Sequence, residues 1–394
     1  MFVSSFGIRI SDFIMRILIA PDKFKGALDA RKVADNIARG IHDVSPDVQI
    51  EIVALADGGE GTAEVICDGL RGSWLKCRAH DPLGREIEAR YAWIDDRKLA
   101  VMEMSEAAGM RRLSPNELDP EVTNTFGVGE MILDATARGA REIILGLGGS
   151  ATNDGGFGMA RALGFEFFTA AGEKLDGFKP SSLPELERIE NPPDLKLPRI
   201  TAAVDVKNPL LGKNGATRVF GPQKGVTPDQ IDQFERALTR LADVIADQSG
   251  IEHRDEPGAG AAGGLGFGLI SFCQATVRPG FQLVAELIDL ESKMKNVDLV
   301  ITGEGSLDRQ TLSGKTPFGV AQLAHRLGKR VIAVVGRTGR DGEAGRVFDE
   351  VIVISDPQLP EKENIARAAE FLQAAGRKLA NRLNISQATA SKRR

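Results

Sequence analysis

Short apolar runs recur along this chain, and their spacing limits most strongly what it can fold into. They are 16–20 (RILIA), 49–55 (QIEIVAL), 141–147 (REIILGL), 201–206 (TAAVDV), 298–302 (DLVIT), 330–336 (RVIAVVG) and 350–355 (EVIVIS). Near-continuous runs of this length suit strands buried on both faces, as in a parallel sheet. Helical patterns lie between several of them. Val33, Ile37 and Ile41 fall four apart in 29–41, and Ile231, Phe234, Leu238, Leu241 and Ile245 share one face of 228–245. Residues 362–383 read as one long, Ala-rich, charged helix. Strands alternating with helices predict an α/β fold with a parallel sheet.

The stretch 78–105 breaks that rhythm, with two alternating runs around Asp95-Asp96 that predict a hairpin. A second, mixed-sheet domain therefore interrupts the first. The expectation is two α/β domains, one Rossmann- or flavodoxin-like with a parallel sheet and a smaller mixed-sheet domain inserted in it. The boundaries read as 15–76 plus 285–384 for the first and 77–284 for the second. Residues 1–14 read as an extension ahead of Met15, and 385–394 as a solvated tail.

Composition narrows the function classes. The chain of 394 residues carries 50 basic and 55 acidic side chains, net -5, which argues against a nucleic-acid or membrane-surface partner. It has no run of 18 apolar residues to span a bilayer. Cys67, Cys77 and Cys273 form no metal or disulfide pattern and read as reduced, buried thiols of a cytoplasmic protein. The four histidines match no triad or metal spacing.

The 44 glycines fall in clusters. Four of these read as a strand end followed by glycines with an acid or hydroxyl: Asp57–Thr62, Gly146–Gly156, Gly258–Gly268 and Gly303–Asp308. Beyond strand ends, glycines let backbone N–H groups reach phosphate oxygens, and a following helix adds a favourable dipole. A single such loop is as readily a tight turn; four together point to a polyphosphate site. Gly314-Lys315-Thr316 has the tail of a P-loop, but Arg309 stands where the first glycine belongs. Gly146, Gly148 and Ala151, with Glu166 further on, fit a dinucleotide fingerprint, so a nucleotide-binding oxidoreductase is a second reading. Lys23, Lys25, Lys207, Lys224, Arg309 and Lys315 accompany the loops. Each alone reads as a solvated charge; together they offer partners for a phosphate and a carboxylate.

Eight segments in order resemble the glycerate kinase family: Ala20–Gly26, Asp57–Thr62, Asn124–Glu130, Gly146–Gly156, Val204–Gly212, Phe220–Gly225, Gly258–Gly268 and Asp298–Ala321. The resemblance implies a two-domain α/β enzyme with its active site in the cleft between domains. It implies ATP-dependent phosphorylation of D-glycerate in organic-acid metabolism, with 2-phosphoglycerate favoured over 3-phosphoglycerate. Another small hydroxy-acid kinase on the same scaffold is the nearest alternative.

Phosphoryl transfer needs positioning and neutralised charge more than covalent chemistry. Mg²⁺ arriving with ATP prefers carboxylates, and Asp57 and Glu304 are the candidates, unless they cap helices instead. Asp205, Lys207 and Asp308 are the candidate catalytic residues, with Asp205 favoured as the base because it ends a buried strand. A structural ion pair is the other reading of each acid. Gly148, Gly149, Ser150, Gly263 and Gly264 are candidates for the phosphates, and Lys23 and Arg309 for the substrate.

Overall fold

The structure is a computed structural model. It describes residues 15–308, 311, 315–339 and 343–391, with the backbone alone for 384–391. By internal contact the chain divides at Leu55/Ala56 and at Ile288/Asp289 into two compact units. The first boundary lies ahead of the one read in the sequence, because helix Thr62–Gly69 and the strand after it both pack into the inserted unit. The strand β3 (Ser73–His80) pairs along its length with β4 (Glu86–Ile94), which belongs to the inserted unit. That unit, Ala56–Ile288, is also the longer of the two rather than the smaller. Residues 1–14 lie outside the described residues.

In the first unit, β1 (Arg16–Ile19), β2 (Gln49–Ile52), β11 (Leu299–Leu307), β12 (Arg330–Thr338) and β13 (Glu350–Val353) form one sheet in the order β13-β12-β11-β1-β2. Every described pairing in it is parallel. This is the flavodoxin-like order, in which the strand sequence reverses beside β1. The apolar runs explain it: Ile17, Leu18 and Ile19 are fully buried, as are Val331, Ala333, Val334 and Val335 of β12.

Helix Ala30–His42 starts where Asp29 accepts a 2.7 Å bond from the Lys32 N–H. It buries Val33, Ile37 and Ile41 against helix Ala368–Ser391 in one core. A methyl on Gly40 would stand 2.0 Å from the Gln373 carbonyl oxygen, so glycine there lets the two helices touch backbone to backbone. The expected helix 362–383 is two, Glu361–Ala366 and Ala368–Ser391, separated at Arg367. The second runs through most of what the sequence reads as a tail.

The inserted unit holds a mixed sheet of β3, β4, β5 (Leu99–Glu103), β6 (Glu142–Gly146), β9 (Arg199–Ala203) and β10 (Thr276–Arg278), ordered β10-β9-β6-β5-β4-β3. The hairpin around Asp95-Asp96 is present as β4/β5. A further hairpin, β3/β4, turns where Asp81 Oδ1 accepts from the Leu83 and Arg85 N–H groups. The remaining strands, β7 (Glu166–Thr169) and β8 (Leu186–Glu190), pair by themselves. The core is continuous from Cys77 to Ala275 and includes Tyr91, Phe157, Phe167 and Phe267. All three cysteines are buried free thiols, and burial pushes Cys77 and Cys273 up to about 12. Among the described residues no helix is long and apolar enough to cross a membrane.

Candidate functional site

In the first unit, chemistry collects at the carboxyl end of β1. The Asp22 N–H donates to the Gly303 carbonyl at 2.8 Å, which sets Asp22 alongside β11 just past the last β1 pairing. Glu304 follows Gly303, is 8% exposed, and accepts a 2.6 Å bond from the Thr311 hydroxyl. That hydroxyl in turn accepts from the Asp308 N–H at 3.1 Å. Burial pushes the Glu304 carboxyl up to about 7; the Thr311 bond and Lys315 oppose this, and the negative charges of Asp22 and Asp308 add to it. The strand order reverses here, which is where open α/β sheets take ligands. Lys23 is half-buried and its N–H donates to Asp22 Oδ1. Arg309 lies outside the described residues.

Three segments meet in the inserted unit. A Cβ on Gly146 would stand 2.6 Å from the Gly58 oxygen, and one on Gly148 would stand 2.5 Å from the Gly59 Cα. A Cβ on Gly280 would stand 2.1 Å from the Asp57 oxygen. The Asp57–Thr62 loop is therefore stacked on Gly146–Gly149 and against the start of helix Gly280–Leu287. Asp205 joins them: its Oδ1 accepts from the Gly280 N–H at 3.0 Å, at the positive end of that helix. Lys207 is exposed two residues further on.

Neither proposed metal ligand is a helix cap. Asp57 Oδ1 accepts from the Gly59 N–H at 3.1 Å within its own turn. Helix Thr62–Gly69 is served instead by Glu103, whose Oε1 accepts from the N–H groups of Gly61 and Ala63. Asp57 belongs to the inserted unit and Glu304 to the first. Among the described residues no three His, Cys, Asp or Glu side chains are grouped to hold a metal ion.

Two of the four glycine clusters do not follow a strand. Gly303–Asp308 lies largely within β11, and a Cβ on Gly303 would meet the Val334 oxygen at 2.0 Å. Gly258–Gly268 leads into helix Ala261–Cys273, where Ala262, Gly263 and Gly264 are left-handed. A Cβ on Gly263 would meet the Thr152 oxygen at 2.0 Å, and one on Gly264 the Gly155 Cα at 2.8 Å. The need for glycine at 263 and 264 is thus set by the protein's own backbone. Gly263→Ala is expected to destabilise the fold by about 3 kcal/mol, from positive-φ strain plus overpacking, read as a lowered Tm. An unchanged Tm would show that the Thr152 backbone does not require glycine at 263. Glu166, the acid of the dinucleotide pattern, is half-buried and pairs with Lys174 at 2.6 Å.

Sequence reading missed Asp22 and Thr311, though each had a signal, an acid soon after a strand and a hydroxyl three residues after Asp308 in a turn. It took Lys224 as a solvated charge beside the loops, and nothing in the sequence marked its burial: in a Pro- and Gly-rich turn it is 1% exposed, and its Nζ donates to the Thr152 carbonyl at 2.7 Å.

The fold and these loops define an α/β enzyme with its acids and glycine turns at strand ends. The model described as the glycerate kinase family matches residues 17–384, and the chain belongs to that family of kinases. It is 41% identical over 371 residues to a glycerate kinase of Halalkalibacterium halodurans, covering 92% of this chain and 97% of the relative. It is 42% identical over 325 residues to the glycerate 2-kinase of Escherichia coli K12, covering 82% and 85%. It also resembles the solved structure of a Salmonella typhimurium LT2 protein assigned as glycerate kinase 2, with TM-score 0.82, 38% identity, and 95% and 99% of the two chains covered.

Proposed function

We propose that this chain transfers the γ-phosphoryl group of ATP to the 2-hydroxyl of D-glycerate, giving 2-phosphoglycerate and ADP. The geometry that supports it most is the buried Glu304 carboxyl beside Asp22 at the reversal of strand order. An acid kept out of water there is costly unless a ligand compensates it. The substrate and the position of transfer rest on the named relatives, the glycerate 2-kinase of Escherichia coli among them.

In this reading Gly148, Gly149 and Ser150 hold phosphate oxygens. Gly263 and Gly264 are the further backbone candidates for the phosphates. Glu304 is the acid assigned to Mg²⁺, with Asp57 the other candidate; the ion when bound would neutralise charge on the transferring phosphoryl oxygens. Asp205 takes the proton from the substrate hydroxyl, with Asp308 the alternative base. Lys23, Lys207 and Arg309 supply positive charge to the glycerate carboxylate and the transferring group. The enzyme then serves organic-acid breakdown in the cytoplasm.

Glycerol, which lacks the carboxylate, is the most direct control. Turnover on glycerol is expected to be at least about a hundredfold slower than on D-glycerate, since the site's charged partners are left unpaired. Equal rates of ATP consumption on the two would sink the substrate assignment.

A further inference from the structure

A fully buried lysine is costly, because the ammonium loses its water. Lys224 is such a group, with burial pulling its ammonium down to about 7 against the opposing charge of Asp154. Its Nζ donates to the Thr152 carbonyl oxygen at 2.7 Å. The neighbouring Asn153 is tied to the same segment of chain, its Nδ2 donating to Thr217 Oγ1 at 2.9 Å. Asp154, also fully buried, accepts from the N–H groups of Thr125, Gly156 and Gly158 and from the Thr125 hydroxyl. The turn that holds Lys224 is itself fixed: Gly225 is left-handed, and a Cβ there would stand 2.4 Å from the Leu118 oxygen. Three successive residues, 152–154, are therefore clamped from Phe220–Gly225, from Thr217 and from Thr125. They follow the Gly148–Ser150 loop with only Ala151 between, and the Gly149 oxygen of that loop accepts from the Met110 N–H at 2.9 Å.

We propose that Lys224 is a positioning residue for phosphoryl transfer, its buried amine holding the Thr152 carbonyl so that the adjoining Gly148–Ser150 loop keeps the shape that receives the nucleotide phosphates. This rests on the reading of that loop as the phosphate site. A methionine would fill the same space without the cost of burying an amine. What lysine adds is a donor for a carbonyl that a left-handed glycine, Gly263, also crowds. Lys224 touches no reacting atom in this account and acts only through the loop.

The test compares wild-type and K224M protein, well below the Tm of each, by steady-state kinetics, MgADP binding and amide hydrogen exchange. Expected is a fall of about tenfold or more in kcat/KM for ATP, the scale of a misplaced binding loop. The KM for D-glycerate should stay within about twofold, and exchange should rise in 146–156 without rising across β3 and β4. Should K224M not fold, K224Q, which keeps a polar tip but whose amide nitrogen ends one bond short of the lysine Nζ and so of the Thr152 carbonyl, is put through the same measurements with the same expected direction. Kinetic parameters and loop exchange equal to wild type in the folded variant would overturn the proposal, even with a lowered Tm. Faster exchange in 146–156 with unchanged MgADP binding and kcat/KM would overturn the phosphate-loop reading instead, and the two failures are told apart on that basis.

Discussion

Replacing Glu304 by glutamine is expected to lower kcat/KM for ATP about a hundredfold or more while raising the Tm at neutral pH. The two effects have one cause. Glu304 is a carboxyl held in a buried position at the end of the β1/β11 register, with Asp22 and Asp308 close enough to disfavour its charge. Its negative form is useful only to a cation, and losing that interaction forfeits several kcal/mol of transition-state stabilisation. Glutamine keeps the amide oxygen that accepts from Thr311 and carries no charge to bury.

The pH dependence follows with a definite sign. An unfolded glutamate ionises near 4.5, whereas in the folded chain Glu304 holds its proton up to about 7. Between those values the folded state binds a proton that the unfolded state has lost, so stability falls as pH rises through that window. Mg²⁺-nucleotide binding should strengthen over the same rise, because the ionised form then becomes available. Glu304→Gln should flatten both dependences. A variant with normal turnover would remove Glu304 from the site, and a variant whose Tm changes between pH 5 and pH 7 just as the wild type's does would remove the pH dependence assigned to it.

Asp205→Asn carries the second large effect. The amide oxygen still accepts from the Gly280 N–H, so the start of helix Gly280–Leu287 and the Asp57 turn packed against it should survive. Turnover should fall at least about a hundredfold, the range for losing a general base, with the Tm close to wild type. Normal turnover would pass the role to Asp308. A large loss of stability with normal turnover in the folded fraction would make Asp205 an anchor for that helix and nothing more.

The sheet strands were legible because a buried parallel strand writes itself as an apolar run, and β1, β6, β12 and β13 lie where such runs stand. The family was legible for a different reason, eight collinear segments. What escaped was set by neighbours that sequence does not name. Gly303 reads as a loop glycine, yet it sits inside β11 because the Val334 oxygen leaves no room for a side chain. Gly263 and Gly264 read as a phosphate cradle, and the sequence is silent on the Thr152 and Gly155 backbone that a Cβ at either would also meet. Lys224 reads as a surface charge, yet its turn is folded inward. The boundary near residue 76 failed because the membership of β3 is decided by its pairing with β4, a tertiary fact. In each case periodicity reported that a position is special and left open which atoms make it so.

The central claim is phosphorylation of D-glycerate at the 2-hydroxyl. It is tested most directly by supplying purified protein with MgATP and D-glycerate and passing the product to enolase and pyruvate kinase with phosphoglycerate mutase left out. Pyruvate should appear without lag, at a rate that depends on D-glycerate, since 2-phosphoglycerate feeds enolase directly. ADP formed from D-glycerate with no pyruvate until mutase is added would place the phosphoryl group on the 3-hydroxyl, and no D-glycerate-dependent ADP at all would contradict the account.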